Sequence, residues 1–216
     1  MSDDIVLATS DGDIRAVEAA LAAGDDVNDV CGEGGTLMAY ACLTTRHMPH
    51  EDARTGMLRF LLENGADPHA FFPDACFGIN ADQVRLFVEH GVNVNARYED
   101  GFLPLHSATR NGDHSFEVCR ALLRHGARPD AFVLPGDKDW TVADFAIACA
   151  KKFPRRQPAA NLLAAVRDAG SWHRYCVEPS VKLLALRHLS LAGRAVPPPN
   201  LARIFGARAT GCACCC

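Results

Sequence analysis

No apolar run in this 216-residue chain approaches the roughly 18 to 20 residues that a membrane helix needs. The acidic start, Met1-Ser2-Asp3-Asp4, lacks the positive region of a secretory signal, so a soluble protein of the cytoplasm or nucleus is expected. Aromatic residues make up only 7% of the chain while hydrophobic residues reach 49%, which points to a core of small and aliphatic side chains suited to helix packing. A formal net charge of −4 is too mild to give an electrostatic footprint for nucleic acid or a basic face for anionic membranes.

Patterns that carry catalysis are missing as well. There is no GxSxG elbow, no phosphate-cradling GxxxxGK[ST], no HExxH, and no GxGxxG opening a helix after a strand. Asp137-Lys138-Asp139 holds two carboxylates, but without a patterned partner it reads as a solvated turn. His47 and His50 come nearest to a ligand pair, and Pro49 between them favours a surface loop. The expectation is a chain that is not an enzyme, with no cofactor and no metal site.

Cysteine is plentiful but unpaired. Residues 31, 42, 76, 119, 149 and 176 stand singly, without CxxC spacing, and read as small buried hydrophobes. Cys212, Cys214, Cys215 and Cys216 crowd the tail. Three readings stay open there: soft thiolates for zinc or copper(I), lipidation, or a disordered end without a role. CaaX prenylation is excluded, because Ala213 is fourth from the end.

What the chain has instead is a recurring phrase. Gly65-Ala66-Asp67-Pro68-His69-Ala70, Gly91-Val92-Asn93-Val94-Asn95-Ala96 and Gly126-Ala127-Arg128-Pro129-Asp130-Ala131 are variants of one another, and Gly24 leads to Val27-Asn28. Seven, four and three residues before each of Gly24, Gly65, Gly91, Gly126 and Gly170 stand apolar side chains, with Arg167 the one departure. Such a stripe ending in Gly is a buried helix face closed by a left-handed cap. A single helix cannot bury its face alone, so the series implies a stacked array.

The segment Asp100-Gly101-Phe102-Leu103-Pro104-Leu105-His106-Ser107-Ala108-Thr109-Arg110-Asn111-Gly112 closely resembles the ankyrin-repeat phrase DGxTPLHxAAxxG, with Leu103 in place of Thr. Pro104 suits the first turn of a helix, and Leu105 and Ala108 share its inner face. Gly112 reads as the residue that permits the tight turn to the second helix. The resemblance makes His106 a structural side chain that bonds neighbouring loops. It implies an all-α fold: a solenoid of about five helix-turn-helix repeats over residues 3–170, a helical C-terminal cap over 171–206, and a disordered Cys-rich tail over 207–216. Repeat two carries an insertion around 46–54, repeat three is short, and repeat five has a stretched connection over 151–158. The C-terminal helix is expected over about 181–191.

Ankyrin arrays bind proteins through loop fingers and the concave face, so the resemblance implies a monomeric adaptor or scaffold whose partner is a protein. The candidate contacts are Arg97, Glu99, Asp100, Phe102, Phe132 and Trp140, the aromatics forming an apolar patch. Alternatively Phe132 and Trp140 pack against their own finger. Two further readings are a ubiquitin-ligase substrate receptor acting through the helix after Ser180, and a metal- or redox-responsive protein acting through the Cys tail.

Overall fold

The computed structural model describes residues 3–31, 34–43, 51–69, 71–97, 101–112, 114–132 and 140–180. Its helices are α1 (Asp3–Asp11), α2 (Ile14–Ala22), α3 (Leu37–Leu43), α4 (Glu51–Glu63), α5 (Phe72–Ala75), α6 (Ala81–Glu89), α7 (Pro104–Arg110), α8 (Ser115–Arg124), α9 (Val142–Lys152) and α10 (Gln157–Ala169). Among the described residues no strand forms; an antiparallel bridge joins Phe132 to Thr141. The protein is all-α. The odd-numbered helices pack on one another in order, from α1 through α9, while α4, α6 and α8 form a second row behind them. This is a helix-turn-helix solenoid.

The glycine stripe accounts for the core. Val17, Leu58, Leu61, Val84, Phe87, Cys119, Leu122, Leu123 and Leu163 are all fully buried. Ala20 and Leu21, in the first repeat, stay partly exposed. Each of the five glycines has φ between 82° and 111°, a conformation in which a Cβ is penalised. After α8, the Gly126 amide donates to Leu123 O (3.1 Å) and the Ala127 amide to Leu122 O (3.0 Å). That is a Schellman cap, and buried Ala127 supplies its apolar contact. The ends after α4 and α6 repeat both bonds.

The helices start as their sequences direct. Pro104 occupies the opening turn of α7, where the absent N–H is no loss. Thr141 and Asp144 cap α9 reciprocally, and Asn80 with Gln83 does the same for α6. The Asp13 carboxylate accepts from the Ala16 amide at 3.1 Å and caps α2.

Three expectations need correction. Residues 51–54 are not loop: they form the first turn of the 13-residue α4, while 44–50 lie outside the described residues. The connection after α9 is not stretched, since the helix runs on to Lys152 and a 3-10 turn, Pro154–Arg156, leads directly into α10. Gly112 does not take a left-handed conformation, so its turn makes no demand for glycine on that ground. Residues 172–180 are helical, and the C-terminal helix expected over about 181–191 lies outside the described residues.

The chain divides into two compact units after Arg167. In the second, Ser171 opens the helix, its hydroxyl accepting from the Arg174 amide at 3.2 Å. Trp172 and Tyr175 meet one turn apart, with ring centroids at 5.6 Å. Residues 181–216 lie outside the described residues, and with them the Cys tail and most of the segment proposed as a ligase helix.

Candidate interaction surface

The loops between repeats are built from Asx turns, in which a side-chain oxygen at one position accepts the amide two residues on. Asp26 takes the Asn28 amide (2.9 Å), Asp67 the His69 amide (2.8 Å) and Asn93 the Asn95 amide (2.9 Å). The fourth phrase has Arg128 at that position, and an Arg128–Asp130 ion pair at 3.1 Å replaces the turn bond.

Two of these loops are stitched to the next. The Asn28 amide group donates to Gly65 O (3.0 Å) while its oxygen accepts from the Asp67 amide (2.7 Å). Asn95 repeats the pair on Gly126 O (3.0 Å) and the Arg128 amide (3.1 Å). A carboxamide suits the job because donor and acceptor sit on one short side chain. These roles went unrecognised in the sequence, although the recurring Val-Asn pair carried the signal.

The candidate contact residues fall into different situations. Arg97 is committed to the scaffold: Nη1 donates to Gly101 O at 2.5 Å and Nη2 to Phe132 O at 2.7 Å, tying its finger to the next. Phe102 is half-buried and stacks on His106, centroids 4.3 Å apart. His106, itself buried, meets Phe145 on its other side at 4.4 Å. Phe132 and Trp140 remain 43% and 45% exposed, so half of each large apolar surface faces water. Glu99 and Asp100 lie outside the described residues, as do 133–139 of the finger between Phe132 and Trp140.

The base of that finger is firm. The Val142 amide donates to Ala131 O (2.9 Å) and the Ala143 amide to Pro129 O (3.0 Å), which sets Phe132 and Trp140 beside a hydrogen-bonded base. Behind it, Arg167 reaches Asp144 at 2.7 Å. This explains the polar exception in the helix stripe, since Arg167 joins the second helix of its repeat to the cap of the first. The Thr141 hydroxyl bond holds the Asp144 carboxyl below its usual range; partial burial opposes this and Arg167 assists it.

The opposite ends of the helices carry a second polar network. The Asn111 amide group donates to Ile79 O (2.9 Å) and Cys76 O (3.2 Å), and Arg54 Nη1 donates to Gly78 O (2.9 Å). Glu51 meets Asn80 at 3.2 Å and His114 at 3.3 Å. Between them lies a cleft of about 280 Å³ bordered by Glu51, Arg54, Phe77 and Asn111. Further along, Arg156 Nη2 donates to Arg110 O at 2.9 Å. The run Lys151-Lys152-Phe153-Pro154-Arg155-Arg156 holds four cations in six residues. The chain's mild overall charge hid it.

Cys31, Cys42, Cys76 and Cys119 are buried. Burial pushes the Cys42 and Cys119 thiols up to about 12 and Cys76 well above its ordinary value, the latter further raised by Cys42 and Cys119 nearby. Protonated thiols in an apolar core are inert. Among the described residues no group of His, Cys, Asp or Glu is arranged to hold a metal ion, and no helix is long and apolar enough to cross a membrane.

Residues 50–133 match the family model for ankyrin repeats (3 copies). That segment thus carries ankyrin repeats, as the phrase around Pro104 implied. It is also similar to alpha-latrocrustotoxin-Lt1a of Latrodectus tredecimguttatus, 32% identical over 126 residues. The match covers 53% of this chain but only 8% of the toxin's length.

Proposed function

We propose that this chain is a non-catalytic adaptor or scaffold that binds a partner protein at the fingers of repeats four and five. Ankyrin repeats are generally protein–protein interaction modules. The observation that carries the finer reading is the exposure of Phe132 and Trp140 on a loop whose base is hydrogen-bonded shut. Half-exposed large aromatics on a rigid support bind at low entropic cost, and such residues dominate interface energies. Arg97 serves this surface by positioning Phe132 rather than by contacting the partner. Phe102, half-buried against His106, borders the patch.

The test is affinity capture with the full chain from its native cell, set against two variants. Phe132→Ala/Trp140→Ala is expected to lose the captured partner, by about tenfold or more in affinity. Leu7→Ala removes an apolar side chain that is 59% exposed on α1, far along the sequence from the finger, and is expected to keep it. Equal capture by both variants removes the finger surface from consideration.

A further inference from the structure

We infer that repeats three to five carry a second docking surface, on the edge formed by the turns between paired helices, and that it takes an acidic, partly apolar segment of a partner protein. This edge lies at the end of the helices opposite the fingers, so the inference stands whether or not Phe132 and Trp140 bind anything.

Three observations meet there. The run 151–156 has four cations and no acid in a chain of net charge −4. Lys151, Lys152 and Phe153 are exposed, Phe153 to 53%. Arg156 bonds to Arg110 O, which fastens the turn of repeat five to the end of α7 and makes the two turns one surface. Arg110 lies over the Phe77 ring at 5.8 Å, extending the strip to the turn of repeat three, where Phe77 is 50% exposed. Arg156 covers one face of Phe153 at 4.6 Å.

The negative ends of α7 and α9 point to this edge and account for some of the positive charge, since Lys and Arg favour a helix C-terminus. They do not account for two half-exposed phenylalanines beside it. Each ring has a guanidinium over it, but the half that stays exposed contributes nothing to the isolated chain, whereas a partner's apolar side chains can cover it.

Charge and cation–π geometry together select the partner. Lipid insertion uses a broad apolar face on an amphipathic helix, whereas here Phe153 is a single ring in a turn with Arg156 over it. A carboxylate instead meets the guanidinium and the lysines, while an apolar neighbour in the same segment covers the open ring face. An acidic segment with leucine or phenylalanine between its carboxylates satisfies both demands.

The experiment is fluorescence anisotropy on the full chain with four probes: a labelled glutamate peptide with interspersed leucines, its glutamine counterpart, labelled oligo-dT, and phosphatidylserine vesicles. The glutamate peptide is expected to bind best and to weaken as added salt shortens the screening length. Lys151→Gln/Lys152→Gln is expected to weaken it about three- to tenfold, from two exposed ion pairs. Phe153→Ala is expected to weaken it too, and Phe132→Ala/Trp140→Ala to leave it unchanged. The substituted side chains are exposed, and coincident thermal melts verify that each variant is folded. The inference is overturned by equal affinity for the glutamine peptide, by undiminished binding in the lysine variant, or by tighter binding of oligo-dT or vesicles than of the glutamate peptide.

Discussion

Replacing Gly126 and Gly112 by alanine, one at a time, separates the two jobs glycine has in this repeat. Gly126 closes α8 at φ 89°, and a Cβ there would meet nothing within 4 Å. The whole cost of Gly126→Ala is therefore conformational, about 1–2 kcal/mol for a left-handed alanine. Gly112, in the turn before α8, also has open space around its would-be Cβ but no left-handed φ. There alanine restricts the unfolded chain more than the folded one, a gain of about 0.4–1 kcal/mol. The same chemical change fourteen residues apart is thus expected to act with opposite signs, the variants differing by about 2 kcal/mol. For a chain of this size that separates their melting temperatures by roughly 4–8 °C. Urea unfolding followed by far-ultraviolet circular dichroism measures it, with thermal melts as a second probe. Equal shifts for the two variants, or a larger loss at Gly112, would refute the assignment of left-handed caps as the reason for the repeating glycine.

Two other outcomes follow from the stitches and the core thiols. Asn95→Ala removes two hydrogen bonds between consecutive loops, each worth about 0.5–1.5 kcal/mol, and exposure places the loss near the low end of that range. Hydrogen exchange at the Arg128 amide should quicken in this variant while the interior of α8 stays protected. Burial holds the Cys42 and Cys119 thiols protonated up to about 12, above the ordinary value of 9.0. In the unfolded chain they ionise sooner, so their contribution is fully present below pH 9 and is lost as pH rises toward 12. Stability measured across that window should fall more steeply for the native chain than for Cys42→Ala/Cys119→Ala; parallel curves would dismiss the burial argument.

The helix pairing was legible because its signal is local and repeated. An apolar stripe ending in glycine recurs within each repeat, and all five glycines adopt the left-handed conformation. The same holds for Pro104 and for the Asp13 cap, where one residue type meets one backbone need. Legibility failed where function passes between repeats. Asn28, Asn95 and Asn111 look like ordinary loop residues, and only the stacking brings them to carbonyls more than thirty positions away. Arg97 stands among the candidate contacts by position, and nothing in its neighbourhood reveals that Phe132 O lies within reach. The basic turn at 151–156 was open to inspection but disappeared into the net charge. A sum over the chain cannot report a local excess.

The uneven repeat lengths resolve once the turn edge is considered together with the helices. Repeat two is long and repeat three short, yet Gly24 and Gly91 lie 67 residues apart, close to two periods of about 33. The surplus of the second repeat and the deficit of the third nearly cancel. Spatially, α5 keeps only four residues while α4 gains a turn at its start. That added turn supplies Glu51 and Arg54, which reach Asn80, Gly78 and, across the shortened repeat, His114 at the start of α8. Contacts in a regular solenoid join only neighbouring repeats. Here a side chain of the second repeat touches the fourth, because the third has given up the length that would keep them apart. Glu51 and Arg54 therefore brace the place where the first row of helices is thinnest.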